Sequence, residues 1–404
     1  MDRIIMHIDV NNAFLSWTAI DLLNNGSKYD IRNSYAVIGG DEKRRAGIVL
    51  AKSTPAKRLG VVTGETLYSA RQKCKVLKAY PPNFKFYQEM SMKLFELISK
   101  YTPDIEVASV DECYVDYTKI MKMQGDPIDF AKKIQKEILD ELGFTVNIGI
   151  ANNKLCAKMA SDFTKPYKIH TLFKDEIKEK MFPLDVGELF GIGKKTVPKL
   201  NKLNIYKISD LANTTPEILY PYFKNQSTAM INWANGIDES QVINKRQEPK
   251  GLGNEITLDH DVDNINELYE YLLYLSEKVG LRVRKEDKYA RVIAVILKDN
   301  TFRRFSHQKK LETPTNKNEE IYTIAKKILN EIYEDQTIRL IGIRLDNLTD
   351  KKIKQVSIFD DIKEEDEIDK VIDNINDKYG NILKKASLLN TKQKKTLNID
   401  NLKK

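Results

Sequence analysis

Cysteine and histidine are scarce in this chain, which contains three cysteines and four histidines in 404 residues. Cys74, Cys113 and Cys156 are far apart, with no Cys-x-x-Cys spacing and no histidine cluster. Zinc sites and disulfide frameworks need closely spaced or paired ligands, so we expect neither of them. We expect the cysteines to be reduced, cytosolic thiols.

Long apolar runs are also missing, and none reaches the length needed to span a membrane. The N-terminal apolar segment, residues 4–8, is followed at once by Asp9, so it is too short and too soon acidic for a signal peptide. We therefore predict a cytoplasmic protein with no membrane partner. No repeat of solenoid period and no low-complexity tract is found.

The composition is that of a soluble globular protein, with 41% hydrophobic and 31% charged residues. At 404 residues the chain predicts two to four domains. The formal net charge is +8, and lysine and arginine recur along the whole chain. This charge suits a polyanionic partner without requiring one.

Two adjacent acids, Asp111 and Glu112, lie where the apolar run 105–110 meets the run 113–117. Neighbouring side chains on a strand point to opposite faces, so both acids can bind the same ligand only from a turn or a strand end. Magnesium is the simplest ligand to suggest, because it binds carboxylate oxygens and leaves its other coordination positions to substrate phosphates. A lone Asp-Glu step is more often a solvated turn, so this interpretation needs support elsewhere.

Asp9 supplies some of that support. It ends a predicted strand, Ile4–Val10, and a helical pattern begins at Ala13. On adjacent strands, Asp9 and the acidic pair could meet and hold two metal ions roughly 3.5–4 Å apart. Further along, a helix over Asp129–Leu142 with Asp129 as N-cap and a strand over Thr145–Ile150 predict an α+β layer with its helices on one sheet face.

Between these acids, the strands Tyr35–Ile38 and Ile48–Ala51 are predicted to form a hairpin. A short helix over Thr54–Val61 follows, with proline in its first turn and glycine as its stop. Its lysine and arginine could face phosphates, although a short surface helix would look the same.

The region 189–211 has the form of a helix-hairpin-helix. Gly191 and Gly193 permit a tight turn whose backbone amides could bind a DNA phosphate, next to Lys194 and Lys195. A plain αα-hairpin is the alternative. Residues 241–253 are polar and punctuated by glycine and proline, which indicates a linker.

Residues 252–345 show the order β-α-β-β-α-β, which predicts a four-stranded sheet with both helices on one face. Five basic residues cluster on the third strand and its exit, so the free face is predicted to be basic and to lie along a duplex. A solvated charged edge is the alternative. The basic residues are Arg303, Arg304, His307, Lys309 and Lys310.

After residue 348 the chain contains a short hydrophobic hexamer, residues 355–360, in a polar context. An acidic, helix-like stretch follows it, with apolar residues from Ile368 to Ile375. Lysine dominates the remainder, and we expect the last dozen residues to be frayed or disordered.

Taken together, these segments resemble the Y-family DNA polymerases, most closely their bacterial DNA polymerase IV branch. The resemblance covers about residues 3–348 in the correct order. It implies a right-hand-like polymerase with template-directed, low-fidelity addition of deoxynucleotides, lesion bypass and no proofreading. The segments that carry it are His7–Phe14, Ser109–Asp116, Gly149–Lys154, Ala157–Lys158, Ala160–Asp162, Lys165–Pro166 and Gly191–Gly193.

The resemblance also implies domain boundaries. They are a palm over 1–10 and 79–166, fingers over 11–78, a thumb with the helix-hairpin-helix over 167–238, a linker over 239–250, a little finger over 251–348 and a tail over 349–404.

By the same resemblance, Asp9, Asp111 and Glu112 are the catalytic carboxylates. With the Val10 carbonyl they would bind two Mg²⁺ ions, for which Mn²⁺ could substitute. Primer-template DNA and deoxynucleoside triphosphates are the implied partners of a monomeric enzyme.

Phe14 matches the steric gate that would meet a ribose 2′-hydroxyl, although it could simply be a core side chain of its helix. Lys165 matches the lysine that reaches the incoming triphosphate, a task for which a point charge is well suited. Outside the family match, it would be a solvated lysine before a proline.

The chain departs from the family at several of its nucleotide-contacting positions. Thr54 and Lys57 stand where a tyrosine and an arginine are common, which puts nucleotide affinity or fidelity in doubt. Asn11 stands two residues after the first metal ligand, where an acid is frequent. Ala13 precedes the gate, where a second aromatic is common.

Residues 355–360 resemble a peptide that binds the bacterial sliding clamp, with Gln355 and Ser357 beside the pocket-filling Ile358 and Phe359. Two other functions are weighed against a polymerase. A non-catalytic, clamp-tethered DNA-binding protein is suggested by Thr54 and Lys57. A nucleotide cyclase on a related palm would account for the acids but not for the DNA-binding modules.

Overall fold

The computed structural model describes residues 3–42, 45, 47–245, 248–350, 368–380 and 382–383. The chain divides into two compact units, Met1–Gly40 with Ile48–Arg246, and Asp41–Gly47 with Gln247–Lys404. Within the described ranges, every helix is too short or too polar to cross a membrane. The predicted clamp-binding peptide, Gln355–Phe359, lies outside the described residues.

The strands are β1 (Ile5–Val10), β2 (Ala36–Gly39), β3 (Val49–Lys52), β4 (Lys78–Tyr80), β5 (Ile105–Val107), β6 (Glu112–Asp116), β7 (Val146–Ala151), β8 (Ile169–Leu172), β9 (Gly251–Val262), β10 (Tyr289–Asp299), β11 (Arg304–Thr315) and β12 (Ile338–Thr349).

The α-helices are α1 (Ala13–Asn24), α2 (Thr54–Arg58), α3 (Leu67–Lys73), α4 (Phe84–Ser99), α5 (Met121–Gln124), α6 (Pro127–Leu142), α7 (Lys154–Asp162), α8 (Val197–Asn201), α9 (Ile208–Ala212), α10 (Pro216–Phe223), α11 (Gln226–Ala234), α12 (Ile265–Lys285), α13 (Asn318–Ile332) and α14 (Ile368–Tyr379).

The sheet that carries the predicted metal ligands has the order β5-β6-β1-β7-β8, with β1 antiparallel to both of its neighbours. Met6, Ile8 and Val10 point to one face and join a core built with α1, α4 and α6. His7 and Asp9 point to the opposite face, where α7 packs. Helices therefore cover both faces, and the prediction that they pack on one face is wrong.

Gly149 on β7 explains how α7 comes so close to the sheet. A Cβ atom at this position would lie 2.0 Å from the carbonyl oxygen of Ala157 and 2.5 Å from the backbone nitrogen of Ser161. Only glycine leaves room for the backbone of α7 at this distance. The close approach brings the side chains of α7 over the end of β1.

Helix α6 begins two residues earlier than predicted, and Asp129 is not its N-cap. The cap is Asp126, whose carboxylate accepts hydrogen bonds from Ile128 N at 2.8 Å and Asp129 N at 3.1 Å. Pro127 occupies the first helical position, where its fixed φ suits the helix and its missing N–H is not needed.

A second, three-stranded sheet has the order β3-β2-β4. Strands β2 and β3 pair antiparallel, so the predicted hairpin is confirmed. Two elements pack against the larger sheet although they lie outside the predicted palm. Ala13 and Trp17 of α1, in the predicted fingers, belong to the core under this sheet. Strand β8, in the predicted thumb, pairs with β7 of the sheet.

The sheet of the second unit has the order β11-β10-β12-β9, and all of its pairs are antiparallel. Alternate residues of β10, including Ile293, Val295 and Leu297, pack in one core with α12 and α13. The predicted four-stranded sheet with two helices on one face is confirmed.

The basic cluster of β11 does not lie on one face. In the strand register, Arg304 pairs with Lys298, a residue of the free face, and Lys309 pairs with the core residue Ile293. The prediction of a single basic surface is therefore wrong, because successive side chains of a strand alternate between its faces. Lys309 instead forms an ion pair with Glu331 of α13.

The free face is also less basic than expected, because Arg304 forms an ion pair with Glu255 of β9. Arg303, which precedes β11, has an exposed side chain and lies 3.4 Å from the carboxylate of Asp299.

Candidate active site

The three predicted metal ligands lie at neighbouring ends of two strands. The Cα atom of Asp9 near the end of β1 lies opposite that of Glu112 at the start of β6. Asp111 occupies the preceding turn, and its carbonyl oxygen accepts a 3.0 Å hydrogen bond from Val10 N. The prediction that Asp9 and the acidic pair meet on adjacent strands is confirmed.

These residues line one cleft of about 360 Å³, which we call the carboxylate cleft. The cleft brings together the predicted metal ligands, the predicted gate and the predicted triphosphate lysine. Its lining residues are Asp9, Val10, Asn12, Ala13, Phe14, Leu50, Ala51, Asp111, Glu112, Lys158, Asp162 and Lys165.

Lys158 of α7 contacts three carboxylates in this cleft. Its Nζ lies 3.1 Å from Asp9 Oδ2, 3.0 Å from Glu112 Oε1 and 3.4 Å from Asp162 Oδ2, and its side chain is only 10% exposed. Burial alone would lower the pKa of Lys158, but the three carboxylates reverse this effect and raise the pKa above its ordinary value. Lys158 is therefore a buried, charged counter-ion.

Lys165 reaches the same carboxylate from the turn after α7. Its Nζ lies 2.9 Å from Asp9 Oδ2 and 2.9 Å from Asp162 Oδ1. Burial opposes the charge, but Asp9 and Asp162 raise the pKa of Lys165 overall. The side chain is 37% exposed, so its ammonium remains accessible from the cleft.

His7 lies under the acidic pair and is fully buried. Its Nε2 is 3.4 Å from Glu112 Oε2, and its Nδ1 is 2.8 Å from Ser161 Oγ. Contact with His7 lowers the pKa of Glu112 to about 2, against the effect of burial and with the help of Lys158. Burial lowers the pKa of His7 itself.

Asp111 has a different environment. Ser109 Oγ donates a 2.6 Å hydrogen bond to its carboxylate. Burial raises the pKa of Asp111, and the negative charges of Asp9 and Glu112 raise it further. A cation next to Asp111 would relieve both effects.

The donor atoms at this site suit a divalent cation. Carboxylate and carbonyl oxygens are the hard ligands that magnesium prefers, so Asp9, Asp111, Glu112 and the Val10 carbonyl fit it by chemistry. Across the described residues, no three histidine, cysteine or carboxylate side chains are grouped closely enough to hold a metal ion. The carboxylates of Asp9 and Glu112 are instead held by lysine.

Phe14 forms part of the cleft wall and is half-buried. Its ring stacks on Tyr87 with a centroid distance of 4.8 Å and meets the edge of Phe84 at 6.0 Å. Phe14 therefore packs against aromatic side chains and also lines the cleft, and its role as a steric gate stays a prediction.

Thr54 and Lys57 are not among the residues that line the carboxylate cleft. They lie on α2, which starts directly after β3 and is capped by Ser53 Oγ, the acceptor of a 3.2 Å hydrogen bond from Ala56 N. Both side chains are exposed. Burial and the charge of Lys57 lower the pKa of nearby Lys52, which marks a second basic residue beside this helix.

The predicted hairpin around residues 191–195 is a tight turn in the first unit. Gly191 has φ +94°, a left-handed conformation that favours glycine, and a Cβ atom there would meet the Trp233 ring at 3.1 Å. Around Gly193, by contrast, there is open space. Lys194 and Lys195 are exposed, so the turn could approach a phosphate, which stays a prediction.

Three residues near the cleft have no function predicted from the sequence. Lys158 and His7 lie in the segments that carry the family resemblance, and Asn147 lies outside them. The i,i+4 spacing of Lys158 and Asp162 hinted at an ion pair. No local pattern indicated that Lys158 would also reach Asp9, which is 149 residues away.

Comparison with known proteins supports the architecture. Residues 8–162 match the model of the impB/mucB/samB family, residues 249–358 match the C-terminal domain of that family, and residues 174–205 match the IMS family HHH motif. The last match agrees with the predicted helix-hairpin-helix.

Full-length relatives are similar along nearly the whole chain. DNA polymerase IV of Clostridium acetobutylicum is 44% identical over 397 residues, which cover 98% of this chain and 100% of the relative. DNA polymerase IV of Bacillus cereus is 33% identical over 401 residues, covering 98% and 95%. A solved Y-family DNA polymerase chimera, Dbh-Dpo4(243-245)-Dbh, has a TM-score of 0.75 and 25% identity, covering 85% of this chain and 99% of the chimera.

Proposed function

We propose how this chain works, given that it belongs to the impB/mucB/samB family of Y-family DNA polymerases and is a DNA-directed DNA polymerase. It extends a primer 3′ end on a DNA template by a two-metal-ion mechanism, with low fidelity, lesion bypass and no proofreading. The observation that supports this proposal is the convergence of Asp9, Asp111 and Glu112 with Phe14 and Lys165 in one cleft.

Two Mg²⁺ ions, or Mn²⁺ in their place, would be held by the carboxylates of Asp9, Asp111 and Glu112 and by the carbonyl of Val10. When bound, such ions stabilise the attacking and leaving oxygens of an in-line phosphoryl displacement. The protein's own contribution is to hold these oxygen ligands in place, which Lys158 does for Asp9 and Glu112.

The two lysines of the cleft, Lys165 and Lys158, have different roles. Lys165 is partly exposed and contacts the incoming triphosphate as a point charge. Lys158 is buried between Asp9 and Glu112 and keeps the two carboxylates together against their mutual repulsion.

Phe14 excludes ribonucleotides because its ring, held by Tyr87, occupies the space that a 2′-hydroxyl would need. Thr54 and Lys57 contact the triphosphate from α2. Lysine lacks the bidentate fork of arginine, so we expect weaker orientation of the triphosphate there.

DNA is held at sites in both units. The turn of Gly191 and Gly193, with Lys194 and Lys195, binds a backbone phosphate through amides and ammonium groups. Arg303 and Arg304 of the second unit supply further phosphate contacts.

The partners and the domain limits complete the proposal. Gln355, Ser357, Ile358 and Phe359 bind the bacterial sliding clamp, with Ile358 and Phe359 in a hydrophobic pocket. The enzyme acts as a cytoplasmic monomer on primer-template DNA and deoxynucleoside triphosphates. The palm covers 1–10 and 79–166, the fingers 11–78, the thumb 167–238, the linker 239–250, the little finger 251–348 and the tail 349–404.

Primer extension by the purified full-length chain tests the catalytic assignment. With Mg²⁺, the wild type should extend a primer, whereas Asp111→Asn and Glu112→Gln should lower the rate by about a hundredfold or more, because each removes a metal ligand. Asp116→Asn, at the far end of β6, is the matched control and should retain activity. Full activity of both active-site variants would refute the metal-ligand assignment.

A further inference from the structure

The side chain of Asn11, which follows β1, is buried next to the carboxylate cleft. Its Nδ2 donates a 3.0 Å hydrogen bond to Asn147 Oδ1, and its Oδ1 accepts a 2.9 Å hydrogen bond from Tyr167 N. The position of Asn11 is fixed as well, because its backbone N donates to Thr145 O at 2.9 Å. The amide thus links β1 to the segment that follows α7.

Asn147 of β7 is fully buried and has all of its hydrogen-bonding capacity satisfied. Its Nδ2 donates to Ser161 O at 2.9 Å and to Thr164 O at 2.7 Å. Its Oδ1 accepts from Lys168 N at 3.1 Å, in addition to the bond from Asn11. The two asparagines therefore hold both ends of the turn over residues 164–168.

This turn carries Lys165, whose ammonium lies 2.9 Å from Asp9 Oδ2. Within the part of the chain that the structure describes, neither Asn11 nor Asn147 forms a hydrogen bond with that ammonium, which contacts Asp9 and Asp162. They bind the backbone of the turn at Thr164, Tyr167 and Lys168. Any movement of the asparagine pair would move the backbone from which Lys165 projects.

We propose that Asn11 and Asn147 are positioning residues that fix the turn over residues 164–168, so that Lys165 meets the incoming triphosphate. The inference rests on the proposed function, in which Lys165 contacts that triphosphate. The inference also explains why residue 11 is an asparagine. Because Asn147 Oδ1 can only accept hydrogen bonds, the side chain at position 11 that contacts it must be a donor. An aspartate at position 11 would instead place two oxygen atoms about 3.0 Å apart in a buried site.

The matched pair of variants is Asn11→Asp and Asn25→Asp. Each adds one carboxylate to the first unit, but Asn25 is exposed after the end of α1, its Nδ2 donates to Asp21, and it does not line the carboxylate cleft. Steady-state incorporation gives the KM for the deoxynucleotide and kcat, and a fluorescent primer-template gives the Kd for DNA. We expect Asn11→Asp to raise KM by about tenfold relative to Asn25→Asp, with the Kd for DNA unchanged.

A double-variant cycle tests whether the two asparagines act through the same turn. If they do, Asn11→Ala/Asn147→Ala should raise KM by less than the product of the two single effects. Asn11→Ala, which removes the donor without adding a charge, should raise KM in the same direction, and it replaces Asn11→Asp if that variant fails to fold in a thermal melt.

The outcomes separate the inference from the function on which it rests. Equal KM values for Asn11→Asp and Asn25→Asp, single effects of Asn11→Ala and Asn147→Ala that simply multiply in the double variant, or a matching loss of DNA affinity would overturn the positioning role while the wild type still incorporates nucleotides. Absence of incorporation by the wild type itself would overturn the proposed function, and the inference with it.

Discussion

Lys158 and Asp9, which are 149 residues apart in the chain, form an ion pair with an Nζ–Oδ2 distance of 3.1 Å. The same ammonium lies 3.0 Å from Glu112 Oε1, the cross-strand neighbour of Asp9. One buried cation therefore holds together two of the three proposed metal ligands. We expect this arrangement to couple the stability of the first unit to metal binding at the proposed active site.

Replacing Lys158 by methionine tests that coupling. Loss of Lys158 leaves Glu112 without its lysine partner and Asp9 with Lys165 alone, so we expect the free energy of unfolding to fall by about 3 kcal/mol in EDTA. Added Mg²⁺ should restore more stability to this variant than to the wild type, because it would replace the missing positive charge. Thermal melts with EDTA and with Mg²⁺ measure both effects.

Lys154→Met is the control for this experiment. Lys154 is on the same helix and pairs with Glu106 at 2.7 Å, away from the carboxylate cleft. Its loss should lower stability without a new response to Mg²⁺. The same Mg²⁺ response in both variants would contradict the coupling.

The low pKa of Glu112 predicts how stability depends on pH. In the folded protein its pKa is about 2, compared with an ordinary value of 4.5. An acid with a lowered folded-state pKa stabilises the protein above its unfolded-state value and loses that contribution as pH falls through the folded-state value. Glu112 should therefore contribute about 3 kcal/mol at pH 7, and this contribution should vanish between pH 4.5 and about 2.

Urea titrations of the wild type and Glu112→Gln in EDTA check this expectation. The difference in unfolding free energy should be large at pH 7 and close to zero near pH 2. Glu141→Gln, which removes an exposed carboxylate that lies 3.4 Å from Lys100, should show little difference at either pH. A difference for Glu112→Gln that is independent of pH would exclude an ionisation effect.

Removing the Phe14 ring should open the cleft to ribonucleotides. We expect Phe14→Ala to raise the efficiency of ribonucleotide incorporation relative to deoxynucleotide by about tenfold or more, a change of ~1.4 kcal/mol in selectivity. Phe84→Ala is the control, because Phe84 touches the Phe14 ring at its edge but does not line the cleft. Single-nucleotide incorporation with both sugar types measures the ratio, and an unchanged ratio in Phe14→Ala would make Phe14 a purely structural residue.

Helix α14 should be held to the second unit by a buried arginine. Asp373 accepts hydrogen bonds from Arg284 Nε at 2.6 Å and Nη2 at 3.1 Å, and the Arg284 side chain is 5% exposed. We expect Asp373→Asn to weaken this contact by about 2 kcal/mol and to speed amide hydrogen exchange in α14. Asp377→Asn, which breaks only an exposed pair with Lys285, should leave the exchange nearly unchanged. Equal exchange in both variants would show that Arg284 does not anchor the helix.

Local sequence patterns predicted most of the elements correctly. Strand β1, the hairpin of β2 and β3, and the βαββαβ order of the second unit follow from apolar periodicity and from turn residues. These features depend on neighbours within a few residues, which the sequence displays directly. The start of α6 differs from the prediction by a few residues, because Asp126 caps the helix and Pro127 begins it, whereas Asp129 lies in its first turn.

The placement of side chains within the site depended on the tertiary structure. The sequence by itself determined that Asp9, Asp111 and Glu112 stand at strand ends, where they can converge. Only the fold decided that α7 covers the opposite sheet face through Gly149, that Lys158 bridges Asp9 and Glu112, and that β11 splits its basic residues between two faces. These contacts join residues far apart in sequence, and their energies exist only once the backbone has brought the partners together.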